Sequence, residues 1–322
     1  MFRQIINNNK RQLQKVIITT ALLGAGLSVA QAEILVILPE SGPMARAGFS
    51  IQQGFMHAYQ ASGEKMPVKL INSEQRKIGP LLRQHVNAKT RVVIGPLARA
   101  DVEQLIALRP KVRTLALNEV IQQHPRVLQF SLSKKDDAQT LKQLFQKDQI
   151  NHLFILREPG TEAEHELLLM SLVSQLDYPV EVVDSPPRWL KRQQGVLLLG
   201  SNGWINRQNR LPKKRLYSLA NAVESQQQLP QGLQFCDAPA LYQSQWADVQ
   251  AGIQAAKAEH FSFQRLVAFG GDAWQIANYY LKQPQLNRIE FEGRTGLIRI
   301  QDNQIQRIPK CYVQQKQLVQ IL

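Results

Sequence analysis

From Glu33 onward, short apolar runs alternate with amphipathic stretches. Ile34 to Leu38 is apolar throughout and closes on Pro39, the pattern of a strand buried on both faces. Phe49, Ile51, Phe55, Ala58 and Tyr59 then recur near helical spacing and predict a helix over 47–62. The alternation continues with a strand at 67–72, a helix at 78–88, a strand at 91–94, a helix at 100–108 and a strand at 111–117. A second series places a helix at 134–147, a strand at 152–156, a helix at 162–176 and strands at 180–183, 196–199 and 215–219. A helix near 245–258, a strand at 266–269 and a helix at 273–281 follow. Such βαβα alternation builds parallel sheets covered by helices, so the expected class is α/β in two units.

The first 32 residues read differently. Arg3, Lys10, Arg11 and Lys15 precede an uncharged apolar stretch over 16–29, and Ala30 and Ala32 offer small residues at the positions a signal peptidase reads. This three-part pattern predicts a cleavable secretory signal over 1–32. The stretch is short for a bilayer core about 30 Å thick, so no stable membrane insertion is expected after cleavage. No cysteine lies near the junction to carry a lipid. The expected location is the periplasm.

Charge and composition narrow the chemistry. The 322 residues carry a net charge of +14, and removing the four cations of the signal leaves +10, a balance that suits anionic partners. Two cysteines without a CxxC and six scattered histidines make no zinc-site pattern. Past the signal there is no nucleophile elbow, Walker loop, HExxH pair or dinucleotide fingerprint, so no catalytic residue, metal or cofactor is expected. Glu162, Glu164, His165 and Glu166 crowd one predicted helix start, where acids favour the helix dipole without any catalytic role. No nucleic-acid recognition module is visible, and an exported chain has little access to nucleic acid.

Several segments, in order along nearly the whole exported chain, resemble known proteins. Residues 37–43, reading Ile-Leu-Pro-Glu-Ser-Gly-Pro, with Gly48 and Ile51 to Phe55, look like the opening of a type I periplasmic binding protein fold. Val92 to Leu97, Val102 to Leu105, Thr114 to Asn118, Phe130 to Ser133 with Asp137 and Ala138, Gly232 to Pro239, Gly271 to Trp274 and Gly293 to Gly296 are similar to a narrower group. That group is the LpoA-like penicillin-binding-protein activators. The resemblance implies two Rossmann-like lobes with parallel sheets, crossed near 130–133, 235–241 and 285–290. The implied division is 33–131 plus 241–286 for lobe 1 and 132–240 plus 287–322 for lobe 2. Lipoprotein members carry a cysteine at the signal cleavage site and a large N-terminal helical-repeat domain, whereas here Glu33 leads almost directly into the first strand. A short form without that domain is therefore expected. The implied function is non-enzymatic: the chain grips a class A penicillin-binding protein and stimulates peptidoglycan synthesis in the cell wall, with peptidoglycan itself as a further expected partner. The alternative is a solute-binding receptor of a transporter that holds an amino acid or similar small ligand between the lobes.

Candidate site residues follow from the strand ends, where ligands collect in α/β folds. Ser41 and Gly42 lie past the first predicted strand, Gly95 and Pro96 past another, Asn118 past a third and Asp272 past a fourth. Ser41 and Gly42 at a helix entrance suit a carboxylate, and Asp272 suits a ligand ammonium. Equally, Gly42, Gly95 and Pro96 can shape turns, Asn118 can cap a loop and Asp272 can cap a helix. Lys213, Lys214 and Arg215 end a basic run over 207–215, which reads as a partner surface or as a solvated loop. Trp204 beside it reads as an interface anchor or as core packing. Cys236 and Cys311 form a disulfide candidate, worth about 4 kcal/mol on the chain-entropy model, or two buried thiols.

Overall fold

The fold is that of a computed structural model describing residues 31–187, 189–224, 227–285 and 287–322. The secretory-signal reading covers residues 1–32, of which 1–30 lie outside the described residues. The first sheet is built from β1 (Glu33–Leu38), β2 (Val68–Asn72), β3 (Thr90–Ile94), β4 (Arg113–Ala116) and β5 (Val127–Gln129), all parallel in the order β2-β1-β3-β4-β5. The apolar run of β1 divides by strand periodicity. Ile34, Val36 and Leu38 join one core, while Leu35 and Ile37 join the core on the opposite face. Helix α1 (Ala45–Ala61) covers the first of these faces; α2 (Ile78–His85) and α3 (Arg99–Ala107) cover the second.

A second unit repeats the scheme. It comprises α4 (Lys134–Lys147), β6 (His152–Arg157), α5 (Glu162–Val173), β7 (Val180–Val182), β8 (Gln194–Leu199), α6 (Asn202–Arg207), β9 (Leu216–Ser218) and β10 (Leu233–Asp237). Strand β8 alternates in the same way: Leu197 and Leu199 meet one apolar cluster and Val196 and Leu198 the other. Ser133 caps α4 by accepting the backbone N–H of Lys135, and Asp136 and Asp137 sit in the first turn, favourable at the positive end of the helix.

The chain then returns to the first unit through α7 (Ala247–Ala256) and α8 (Phe261–Lys282). The expected strand at 266–269 and separate helix at 273–281 are one helix of 22 residues. Gly270 and Gly271 read as a turn in sequence, but they are packing devices: a Cβ on Gly270 would lie 2.0 Å from the Ile51 carbonyl oxygen, and one on Gly271 would lie 2.4 Å from the Arg294 side chain. Bare Cα atoms let α1 and α8 touch backbone to backbone.

Beyond α8 comes a three-stranded antiparallel sheet that the sequence reading leaves unassigned: β11 (Arg288–Gly293), β12 (Gly296–Gln301) and β13 (Gln304–Ile308). Its inward residues Ile289, Phe291, Ile298 and Ile300 belong to the same core as Phe55, Phe269 and Trp274. Assigning all of 287–322 to the second lobe therefore needs correction: 288–308 packs against the first. The third crossing falls at Pro309 rather than at 285–290, because only β14 (Lys310–Gln314) and β15 (Leu318–Gln320) join the second sheet. Both are antiparallel to their neighbours, so that sheet is mixed rather than purely parallel, in the order β15-β14-β10-β9-β8-β6-β7. Cys236 on β10 and Cys311 on β14 are directly opposed and joined by a disulfide.

Candidate functional site

The two sheets are linked by residues 130–133, 238–241 and 309, and buried charges gather around these links. Strand β10 ends on Asp237, which is almost fully buried. Its two carboxylate oxygens accept from Arg265 on α8, through Nε and Nη2, each at 2.7 Å. The same guanidinium reaches back to the carbonyls of Ala220 and Val223, at 2.7 and 3.1 Å. One first-unit helix is thus clamped to two second-unit segments by a planar fork, the geometry that favours Arg over Lys. Tyr242 donates its hydroxyl to Asp237 at 2.6 Å. Burial, reinforced by the Asp237 charge, pushes the Tyr242 phenol far above its ordinary range and keeps it a donor.

The turn between β11 and β12 is held by Asp272. This carboxylate lies within α8, has no exposed surface, and accepts from the backbone N–H groups of Arg294 (2.7 Å) and Thr295 (2.8 Å) and from the Thr295 hydroxyl (2.6 Å). Arg294 Nη1 stands 3.4 Å away, while its Nε donates to Asp248 at 2.7 Å and Nη1 to Gln275 at 2.8 Å. Burial pushes the Asp272 carboxyl up, and these donors pull it back. Asp272 therefore neither follows a strand nor caps a helix, as expected from sequence, and its oxygens are occupied from within the chain.

A third group joins β13 to the start of α4. Arg307 is buried; its Nη2 donates to Asp137 at 2.6 Å and its backbone N–H to Asp136 at 3.3 Å. Burial pushes the Asp136 carboxyl up to about 6 against the pull of Arg307, with Asp137 and Glu119 adding repulsion. An unfolded Asp titrates near 3.9. Because the folded value is the higher one, this group's contribution to stability is complete below about pH 4 and is lost as pH rises through about 6. Asp136→Asn, which cannot ionise, is expected to be more stable than the parent at pH 7 and equal to it below about pH 4. Urea denaturation at several pH values checks this, and a difference independent of pH would contradict it.

The other candidates at the strand ends do not assemble into one site. A cavity of about 390 Å³ lies between the units, bordered by Arg99, Asn118 and Ile121 on one side, Ser131 and Ser133 at the link, and Lys134 and Leu167 on the other. Of Ser41, Gly42, Gly95, Pro96, Asn118 and Asp272, only Asn118 borders it. The Asn118 side chain is engaged locally, donating to the Leu97 carbonyl and accepting from the Glu119 N–H. Gly95 has φ +94° and a Cβ there would lie 2.1 Å from the Ile37 carbonyl oxygen, so this glycine serves close strand packing, with a cis peptide to Pro96. Gly42 takes φ +71° in an exposed turn beside Ser41.

Lys213, Lys214 and Arg215 lie at the opposite end of the second unit, where they line a larger concavity. Trp204 is apart from them, half-buried against the Leu198 and Ile205 cluster. Sequence reasoning missed Arg265, Asp248 and Arg307. The signal for the rest was present: Asp137, Asp237, Asp272, Arg294 and Thr295 all fall in segments that carried the family resemblance, and these segments converge on the links. Among the described residues no group of three or more His, Cys, Asp or Glu is placed to hold a metal ion, and no helix is long and apolar enough to cross a membrane.

Two helix-covered lobes joined by three crossings define a body of the type I periplasmic-binding-protein kind. The chain belongs to the family described as LppC putative lipoprotein, whose model matches residues 24–157 and 205–312. It is 23% identical to "Penicillin-binding protein activator LpoA" of Edwardsiella ictaluri (strain 93-146), an alignment covering 79% of this chain and 47% of that protein. The chain spans about half the length of the curated relatives it matches. Among solved structures, the LpoA C-domain from Haemophilus influenzae, named as a regulator of PBP1A, superposes with a TM-score of 0.72 at 19% identity, covering 90% of this chain and all of that one. A putative branched-chain amino acid ABC transporter protein from Chromobacterium violaceum superposes with a TM-score of 0.74 at 21% identity over 88% of this chain. At such identities the structural likenesses establish the fold alone.

Proposed function

We propose that the exported chain is a non-enzymatic periplasmic activator of a class A penicillin-binding protein, raising peptidoglycan synthesis by protein contact. The observation that carries this reading is Asp272. Asp272 is the carboxylate that the receptor reading assigns to a ligand ammonium, and here both its oxygens are taken up by Arg294 and Thr295. The Arg265 and Arg307 clamps further favour a body of fixed shape over a pair of lobes that closes on a solute. The names of the LpoA relatives support the choice of partner. Activation requires that the chain bind the active form of the synthase more tightly than its resting form.

The competing reading, a solute receptor, draws on the likeness to the Chromobacterium protein and on the cavity beside Asn118. Two measurements separate them. Added to a purified class A synthase with lipid-linked precursor, the chain is expected to increase crosslinked product; no increase at saturating chain would sink the proposal. In thermal denaturation, amino acids and muropeptides are expected to leave the melting temperature unchanged, whereas a ligand at a hundred times its dissociation constant would add about 2.7 kcal/mol.

A further inference from the structure

The concavity lined by Lys213, Lys214 and Arg215 has a fourth cation that the sequence does not associate with them, Lys316 on the turn between β14 and β15. Its volume is about 1220 Å³. It lies at the entry of β9 and β10, so it is separated from the crossings by the length of β10, whose far end is Asp237. Among the described residues, none of the four cations has a carboxylate partner within ion-pair distance. The single acid in the lining, Asp148, accepts from the Tyr217 hydroxyl and from Gln234 Nε2, both at 2.7 Å. Lys213, Lys214 and Lys316 are exposed.

The basic loop is held in place rather than merely tethered. Arg215 accepts the Val196 N–H on its carbonyl at 2.9 Å. Gly232, at φ +84°, lies so close to the Lys213 carbonyl that a Cβ would sit 2.0 Å from its oxygen, and its own N–H donates to Gln314 at 2.7 Å. Four cations thus border one hollow against the single carboxylate of Asp148, which leaves a positive excess there.

We infer that this hollow binds an extended acidic peptide segment of a partner protein. Charge complementarity supplies the sign. Side-chain amides from Gln231, Gln314, Gln315 and Gln317 add donors and acceptors suited to a peptide backbone. Among the described residues no aromatic ring lines the hollow, so it lacks the stacking platform that nucleic-acid bases use. A bilayer surface is engaged by an apolar face that inserts, whereas the two valines here, Val313 and Val319, line a hollow among lysines and amides. The inference deepens the contact reading above and rests on it only in assuming that the chain acts on proteins.

The test uses the purified chain and a fluorescein-labelled decapeptide alternating Glu and Gly, followed by anisotropy. The parent is expected to bind it and to ignore the Gln-for-Glu peptide. The double variant Lys214→Glu and Lys316→Glu is expected to bind at least about tenfold more weakly, while Lys65→Glu with Lys77→Glu, of equal net charge, stays within about twofold of the parent. Absence of peptide binding, or equal losses in both variants, overturns the inference. So does sedimentation with phosphatidylglycerol vesicles that the Lys214 and Lys316 variant abolishes while the peptide goes unbound. The activator reading fails separately, through absent stimulation of the synthase by the parent chain with the peptide results intact.

Discussion

Asp272→Ala is expected to cost about 3–5 kcal/mol of stability, because it removes one partner from a fully buried charged group. The backbone N–H groups of Arg294 and Thr295 and the Thr295 hydroxyl would all lose their acceptor in a place water does not reach. Each such orphaned donor carries its own desolvation cost. Arg294 would keep only Asp248 as a charged partner. Chemical denaturation measures the loss, and far-ultraviolet circular dichroism confirms that the variant still folds. The same substitution separates the two functional readings. If Asp272 met a ligand, replacing it would abolish small-molecule binding with little change in stability; if it anchors the β11–β12 turn, stability falls and no ligand response is lost. A change below about 1 kcal/mol would show that the anchor is misread.

Arg265→Ala is expected to cost a comparable amount, about 3–5 kcal/mol, for the same physical reason seen from the cation's side. Asp237 would remain buried, with only the Tyr242 hydroxyl and the Ala238 N–H as donors. The carbonyls of Ala220 and Val223 would lose the guanidinium that ties them to α8. Arg265→Lys retains the charge but not the fork, so it should fall between the parent and the alanine variant. Because Arg265 spans the two lobes, its loss should also make the crossing segments more susceptible to limited proteolysis than the strands of either sheet. An Arg265→Ala protein with parental stability and an unchanged digestion pattern would mean that the clamp does not hold the lobes together.

How much of this was readable from the chain differs by element. Strands β1 to β4 and the helix at 134–147 stand where apolar periodicity puts them, since each is a short, strongly patterned segment between turn signals, whereas the three-residue β5 goes unassigned. The helix at 261–282 was broken in two because Gly270 and Gly271 are the strongest local signals for a turn, and only the nearness of Ile51 and Arg294 explains why they sit inside a helix. Strands β11 to β13 escaped notice despite clear alternation, as in Ile289, Phe291 and Ile298, Ile300, because they follow two α/β series and no adjacency was available. The candidate site fared similarly. Residue types at strand ends suggested a ligand pocket, yet Gly95 answers to Ile37 and Asp272 to Arg294 and Thr295, partners that lie 58 and 22 or 23 positions away.

The α/β class and a basic surplus are properties of local pattern and composition, and the amino-acid sequence determined them without help. The tertiary structure decided which charges cancel. Asp237, Asp272 and Asp137 are each consumed by an arginine from a distant segment, whereas Lys213, Lys214, Arg215 and Lys316 form no ion pair among the described residues. The reason is range: hydrophobic periodicity is set by neighbours along the chain, but an ion pair is set by distance in space, which the chain acquires only when its lobes have formed and crossed.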